Sequence, residues 1–89
     1  MKLVINTAFG GFCLPDGFCE LHGLDRWDSV LRNQPELVSY VEARGQVPTC
    51  VGRLEVVEIP EEATDWELDE YDGLESITYV VDGKLYHIS

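Results

Sequence analysis

Two Asp-Gly dipeptides in the last quarter of the chain constrain its fold more than any other feature. Asp72-Gly73 and Asp82-Gly83 each separate two runs that are rich in β-branched and aromatic residues. An Asp-Gly pair between such runs predicts a two-residue type I′ turn, because both central positions of that turn need a positive φ. The region from residue 65 to residue 89 is therefore predicted to form a three-stranded antiparallel meander.

The two predicted turns also fix which residues lie opposite each other. The first turn places Glu70 opposite Glu75 and, further along, Trp66 opposite Tyr79. The second turn places Tyr86 opposite Tyr79. One face then collects large apolar side chains, which are Trp66, Leu68, Ile77, Tyr79, Val81, Tyr86 and Ile88. A slip of one residue at either turn would scatter this set over both faces, so the pattern supports the register.

Two runs earlier in the chain predict further strands. Residues 2–6 are apolar and β-branched, and residues 53–59 form a second such run that ends at Pro60. The adjacent Val56 and Val57 break the alternation of the second run, which predicts either a bulge or burial on both faces. The segment 25–32 fits a helix and a brief strand equally well.

One helix is predicted clearly, at about residues 34–44. Asn33 is the expected N-cap and forms a capping-box-like pattern with Glu36, while Gly45 is typical of the position that follows a helix. The expected apolar stripe consists of Leu37, Val38, Val41 and Ala43, and the first three are expected to pack on the sheet. A shorter helix is predicted from Pro15 to Leu21, because proline suits the first turn of a helix.

Together these elements predict an α+β fold in a single domain over residues 1–89. The sheet is expected to be mostly antiparallel, with the C-terminal meander and the 53–59 strand forming most of it. The first strand is expected to join this sheet. The helix at about 34–44 is expected to pack on one face of it.

The charge of the chain restricts its partners. Seventeen acidic residues face six basic ones, which gives a net charge of -11. Binding to nucleic acid needs clustered Lys and Arg, whereas the basic residues here are scattered, so no direct nucleic-acid binding is expected. No apolar run approaches the roughly 18 residues that would span a bilayer. The prediction is a cytoplasmic protein, away from membranes, whose partner is a protein with a basic surface.

The three cysteines are Cys13, Cys19 and Cys50. An odd number at irregular spacing is not a disulfide framework, and reduced thiols that pack as small apolar groups are the favoured interpretation. The alternative is a zinc site in which His22 joins the three cysteines. We expect no metal and no cofactor.

The predicted pairing of Glu70 with Glu75 is the one candidate for chemistry. Like charges that lie opposite each other destabilise a sheet, and such a pair can act as a general acid beside a general base, or hold a cation. The favoured interpretation is that both side chains lie at the solvated rim and that no catalysis takes place. The acidic turn is then an interaction patch made of Glu67, Asp69, Glu70, Asp72 and Glu75.

The loop Phe9-Gly10-Gly11-Phe12 is a second candidate. Backbone N–H groups in such a loop can cradle an anion, but the loop is not a G-x-G-x-x-G motif and no lysine follows it. A tight structural turn is favoured. The alternative is an oligomeric binder of small, nucleotide-type ligands, with this loop and Tyr71-Asp72 as walls. The candidate binding residues are Phe9, Gly10, Gly11, Phe12, Glu70, Tyr71, Asp72 and Glu75.

Five segments, taken in order, resemble a family of small uncharacterised proteins encoded by bacteriophages and prophages. They are Lys2-Leu-Val-Ile-Asn6, Phe9-Gly-Gly-Phe12, Arg32-x-x-Pro35-x-Leu37-Val38, Leu54-Glu-Val-Val-Glu-Ile-Pro60 and Asp65-Trp-Glu-Leu-Asp-Glu-Tyr-Asp-Gly73. The resemblance thins between residues 13 and 31. It implies a phage or prophage gene product in a bacterial cytoplasm and carries over no activity. The expected function is that of a non-catalytic accessory protein that binds a host or phage protein.

Overall fold

The computed structural model describes residues 1–88, and Ser89 at the end of the predicted meander lies outside the described residues. Within residues 1–88 the chain forms two helices and two three-stranded antiparallel sheets, which confirms the α+β class. The elements are β1 (Lys2–Asn6), α1 (Asp16–His22), α2 (Pro35–Arg44), β2 (Gln46–Pro48), β3 (Arg53–Glu58), β4 (Asp65–Tyr71), β5 (Leu74–Val81) and β6 (Lys84–Ile88).

The C-terminal meander is confirmed in its strands, turns and register. β5 lies between β4 and β6, with Trp66 opposite Tyr79 and Ile77 opposite Ile88. At the first turn Asp72 and Gly73 have φ values of 50° and 86°, and the second turn repeats this pattern at Asp82 and Gly83. Two successive residues with positive φ are the mark of a type I′ turn, as the Asp-Gly pairs predict.

The prediction of one sheet is wrong, because the meander does not pair with the other strands. β1, β3 and β2 form a separate sheet, in that order. Alternate side chains of β1 serve two cores: Val4 packs with the helices, while Leu3 and Ile5 pack with Ile77 of the meander. The first sheet therefore lies between the helices and the meander. Burial on both faces explains why the first strand reads as a continuous apolar run.

Burial on both faces of the sheet also explains the adjacent valines of β3. Val56 packs against the helix-side core and Val57 against the meander-side core. The pairing with β1 continues without interruption through both residues, from Val4 opposite Val56 to Leu3 opposite Val57. Of the two predicted alternatives, burial on both faces is correct and the bulge is not.

The predicted helix is confirmed at Pro35–Arg44, with Leu37, Val38 and Val41 buried and Ala43 exposed. It packs on the β1-β3-β2 sheet and not on the meander. Its expected N-cap is wrong, since Gln34 occupies that position without a side-chain cap hydrogen bond. Gly45 has a φ of 79° and donates its N–H to the Val41 carbonyl, as expected of a residue that ends a helix.

The segment 25–32 is neither helix nor strand, and the short strand β2 was not predicted. The backbone hydrogen bonds of the segment go to other parts of the chain. Leu14 donates its N–H to the Arg26 carbonyl, and Val4 donates its N–H to the Arg32 carbonyl, both at 2.8 Å. The segment thus fastens to β1 and to the start of α1 without regular structure of its own. No helix in residues 1–88 is long and apolar enough to cross a membrane.

The meander-side core contains the four residues that the register groups together. Ile77 is completely buried and packs with Leu3 of β1, while Trp66, Tyr79 and Ile88 pack around it and are partly buried. The expectation of joint burial is therefore confirmed for the cluster, although full burial is reached only at Ile77. This residue lies on the central strand, where neighbours cover it from both sides.

Replacing Ile77 by alanine should lower the free energy of unfolding by about 2–4 kcal/mol, because the change removes buried methyl groups and leaves a cavity. Urea denaturation of the two proteins measures the difference. Leu85→Ala in the neighbouring strand is the control, since this side chain is 74% exposed. We expect its cost to stay within about 0.5 kcal/mol. Similar losses in the two variants would contradict the core assignment.

Candidate functional site

The two candidate loops come together at one end of the meander. Gly10 of the glycine loop donates its N–H to the carbonyl oxygen of Asp72 in the first hairpin turn, at 3.2 Å. In the alternative prediction of a ligand site these two loops are its walls, and the structure brings them into contact within one chain. We call this contact region, with the neighbouring loop 49–53, the junction.

Asn6, at the end of β1, holds the junction together. Its side-chain amide donates hydrogen bonds to the carbonyls of Ala8 and Gly73, each at 2.6 Å, and its oxygen accepts the N–H of Arg53 at 2.9 Å. The residue is completely buried. One buried side chain thus satisfies backbone groups from three loops, as buried polar groups require.

The backbones at the junction approach so closely that side chains would not fit. A Cβ atom on Gly73 would collide with the backbone nitrogen of Gly11, and one on Gly10 would collide with the Val51 carbonyl. A Cβ on Gly52 would collide with the Asn6 side chain. The glycines of the loop and the turn therefore serve close packing, which supports the structural interpretation of the Phe9–Phe12 loop.

Glu75 departs most from expectation. It lies opposite Glu70 as predicted, but its side chain is 2% exposed and forms a two-pronged ion pair with the Arg32 guanidinium. Arg32 Nη2 lies 2.7 Å from Glu75 Oε2, and Nη1 contacts Oε1. Glu75 Oε1 also accepts the N–H of Asn6 at 2.8 Å. The expectation that both glutamates lie at the solvated rim is wrong for Glu75 and correct for Glu70.

Arg32 offsets the repulsion between Glu70 and Glu75, because it forms an ion pair with Glu75. Its guanidinium carbon lies 3.6 Å from the ring centroid of Phe12, in the geometry of a cation–π contact. The planar fork of arginine matches a carboxylate with two parallel hydrogen bonds. The sequence analysis gave a bound cation only as an alternative to two solvated side chains, and it did not predict Arg32 as the partner of Glu75. Nothing in the spacing of 43 residues identifies which cation it is.

A small cleft lies beside this ion pair. It has a volume of about 200 Å³ and is lined by Phe12, Arg26, Trp27, Asp28, Ser29, Val30 and Arg32. Both of its arginines already have acidic partners, Glu75 for Arg32 and Asp16 for Arg26. Pockets for organic ligands begin at about 300 Å³, so the cleft is small for such a ligand.

The solvent-facing side of the meander, here called the outer face, carries Glu67 and Asp69 of the acidic patch. The register places ten side chains on it: Asp65, Glu67, Asp69 and Tyr71 from β4, Leu74, Ser76, Thr78 and Val80 from β5, and Leu85 and His87 from β6. Tyr71 is 73% exposed and Leu85 is 74% exposed. The outer face therefore combines free carboxylates with accessible apolar groups.

A chain of polar contacts crosses the outer face. The Thr78 hydroxyl donates to Asp69 Oδ2 at 3.1 Å, and its oxygen lies 3.3 Å from His87 Nδ1. Because the hydroxyl proton is directed at the carboxylate, the imidazole must donate through Nδ1, which leaves Nε2 facing outward. These contacts join one side chain from each of the three strands of the meander.

The three cysteines and His22 are the remaining residues that the sequence offered for a metal site. Within residues 1–88, no group of three or more His, Cys, Asp or Glu side chains is arranged to hold a metal ion. Cys13 and Cys50 are close to each other, whereas Cys19 lies on α1 against the helix-side core. The alternative of a zinc site built from all three cysteines and His22 is therefore wrong.

Glu75→Gln tests the buried ion pair. Glutamine keeps the shape of the side chain and an acceptor for the Asn6 N–H, but it removes the negative charge that faces Arg32. We expect a loss of about 3 kcal/mol in the free energy of unfolding, as is typical when one partner of a buried pair is removed. Glu70→Gln, directly opposite and exposed, should change this free energy by no more than about 0.5 kcal/mol. Equal losses by urea denaturation would refute the role assigned to Glu75.

Gly73→Ala and Gly83→Ala provide a matched test of the close approach at the junction. Both glycines occupy the same position in a type I′ turn, with φ values of 86° and 75°, so the backbone strain of alanine is similar at the two sites. A methyl group at Gly73 meets the glycine loop, while one at Gly83 meets open space. The Gly73 variant should be less stable than the Gly83 variant by about 1 kcal/mol or more. Thermal or urea unfolding gives the comparison, and variants of equal stability would contradict it.

The chain was compared with models of protein families, with curated proteins and with solved structures. None of the three comparisons finds a match. The resemblance to small phage and prophage proteins therefore stays a prediction from the sequence, and the function has to be inferred from contacts, burial and charge.

Proposed function

We propose that this protein is a non-catalytic binding protein that docks through the outer face of its meander onto a basic surface of another protein. The observation that carries the proposal is the combination on that face of three carboxylates with exposed apolar groups. The three carboxylates are Asp65, Glu67 and Asp69. Within residues 1–88 none of them forms a salt bridge, and no lysine or arginine shares their face.

The distribution of charge supports the same surface. Residues 65–88 contain seven acidic residues and one basic residue, so their formal charge is 1 − 7 = −6, out of −11 for the whole chain. Five of the six basic residues lie before residue 65. A concentrated negative field steers a positively charged partner toward this end of the molecule and makes the encounter sensitive to salt.

The apolar groups of the outer face provide side chains that can be desolvated when a partner binds, which the carboxylates do not. Protein interfaces depend on a few large side chains that become desolvated, and tyrosine is among the most frequent of these. Tyr71 lies at one end of the face and Leu85 on the opposite edge strand, with a groove of about 160 Å³ near Leu85. The carboxylates then form a polar surround that selects basic partners.

The resemblance noted in the sequence favours a particular biological setting for this function. A small acidic protein of a phage or prophage can occupy a basic groove that normally holds nucleic acid, by mimicking the charge of the polyanion. The partner in this proposal is a host or phage protein in the bacterial cytoplasm.

A second candidate function is an oligomeric binder of small, nucleotide-type ligands. The observation that favours it is that the glycine loop and the first hairpin turn meet, while Phe9 and Tyr71 beside them remain 63% and 73% exposed. Exposed aromatic rings can stack on bases. Light scattering together with a thermal-shift screen of nucleotides separates the two functions, since a monomer that no nucleotide stabilises would exclude this one.

The main proposal is tested by the affinity of a captured partner. Immobilised protein is used to recover partners from bacterial lysate at low salt, and the affinity of a purified partner is then measured at increasing salt. We expect the affinity to fall steeply as salt screens the charges. Glu67→Gln/Asp69→Asn should weaken binding by about tenfold, which corresponds to about 1.4 kcal/mol.

The matched control is Glu20→Gln/Glu36→Gln, which removes the same charge from exposed positions on the two helices. It should change the affinity by no more than about twofold, since only the general field is reduced. Binding that is indifferent to salt, or that weakens equally in the two double variants, would refute docking through the outer face.

A further inference from the structure

Two cysteines that are far apart in sequence face each other in the structure. The sulfur atoms of Cys13 and Cys50 lie 3.5 Å apart, although 37 residues separate them in the chain. Both thiols are free. A disulfide bond is about 2.05 Å long, so an approach of about 1.5 Å by the two sulfurs would allow the bond to form.

The two thiols differ in access. Cys13 is buried, whereas Cys50 is exposed in the loop between β2 and β3. This asymmetry assigns an order of attack, because the exposed thiol can meet a reagent from solution and the buried thiol can then attack the mixed disulfide that forms. Cys19 lies on α1, and burial raises the pKa of its thiol, with the charges of Asp16 and Asp25 adding to the effect. A raised pKa keeps a thiol protonated and less reactive.

We propose that Cys13 and Cys50 form a thiol–disulfide exchange site that takes low-molecular-weight disulfides such as glutathione disulfide. The Cys50 thiolate attacks one sulfur of glutathione disulfide, the S–S bond breaks, and one glutathione thiolate leaves. Cys13 then gives its proton to solvent and attacks the Cys50 sulfur, which releases the second glutathione. The two protein thiols are oxidised to one disulfide, and glutathione disulfide is reduced to two molecules of glutathione.

The site is continuous with the junction. Cys50 and Gly52 belong to one short loop, and Gly52 packs directly against the Asn6 side chain. Gly10 of the glycine loop packs against the carbonyl of Val51 in the same loop. The disulfide therefore ties the loop between β2 and β3 to the segment just before α1. Oxidation thus restrains the junction through that loop.

The experiment equilibrates the full-length protein with glutathione buffers of graded redox poise, quenches with acid and alkylates the remaining thiols. Peptide mapping by mass spectrometry then identifies the bonded cysteines. We expect a Cys13–Cys50 disulfide in the folded protein, with Cys19 alkylated throughout, and full reversal in excess glutathione. A folded protein that forms no disulfide in any buffer, or one that forms it through Cys19, would overturn the proposal.

Single substitutions assign the order of attack. Cys19→Ser should form the same disulfide as the natural sequence, and Cys13→Ser should stop at a stable mixed disulfide between Cys50 and glutathione. Cys50→Ser should form neither product, because the buried Cys13 cannot meet the reagent. Cys50 is exposed, so its substitution keeps the test valid even if Cys13→Ser fails to fold. Reaction of Cys13 with glutathione in the Cys50→Ser variant would reverse the assigned roles and refute the mechanism.

Discussion

The ion pair between Arg32 and Glu75 is the interaction on which the arrangement of the rest depends. β1 is an edge strand, and an uncovered edge leaves backbone groups without partners. The Arg32 carbonyl accepts the N–H of Val4, and the Glu75 carboxylate accepts the N–H of Asn6. The two charged residues thus cover the open edge of the first sheet from two different parts of the chain. In doing so they fasten the meander to that sheet. Apolar packing between the two sheets alone would define their relative position less closely.

The same ion pair explains why Glu75 is buried while the neighbouring carboxylates are exposed. Glu75 is buried against a guanidinium, so it is removed from solvent. Glu70, opposite it, and the carboxylates of the outer face remain exposed to water. Of the five carboxylates in the acidic patch, one is therefore part of the folded interior and four stay exposed.

The junction links these features to the cysteine pair. Asn6 lies one hydrogen bond from Glu75 on one side and one from the 49–53 loop on the other. Cys50 belongs to that loop, and the hairpin turn that contacts the glycine loop begins the outer face at Tyr71. Because interiors are packed closely, a restraint on one of these loops is passed to the others through contacts between backbones. Binding at the outer face and oxidation of the cysteines would thus act on one connected region.

The sequence alone determined the local structure: the meander with its register, the strand of residues 2–6, and the helix that Gly45 ends. These follow from turn chemistry and apolar periodicity, which act over a few residues. Only the tertiary structure decided that the strands form two sheets, that Glu75 is buried, and that Cys13 faces Cys50. Each of these depends on which distant segments meet, and the spacing of residues along a chain carries no record of that.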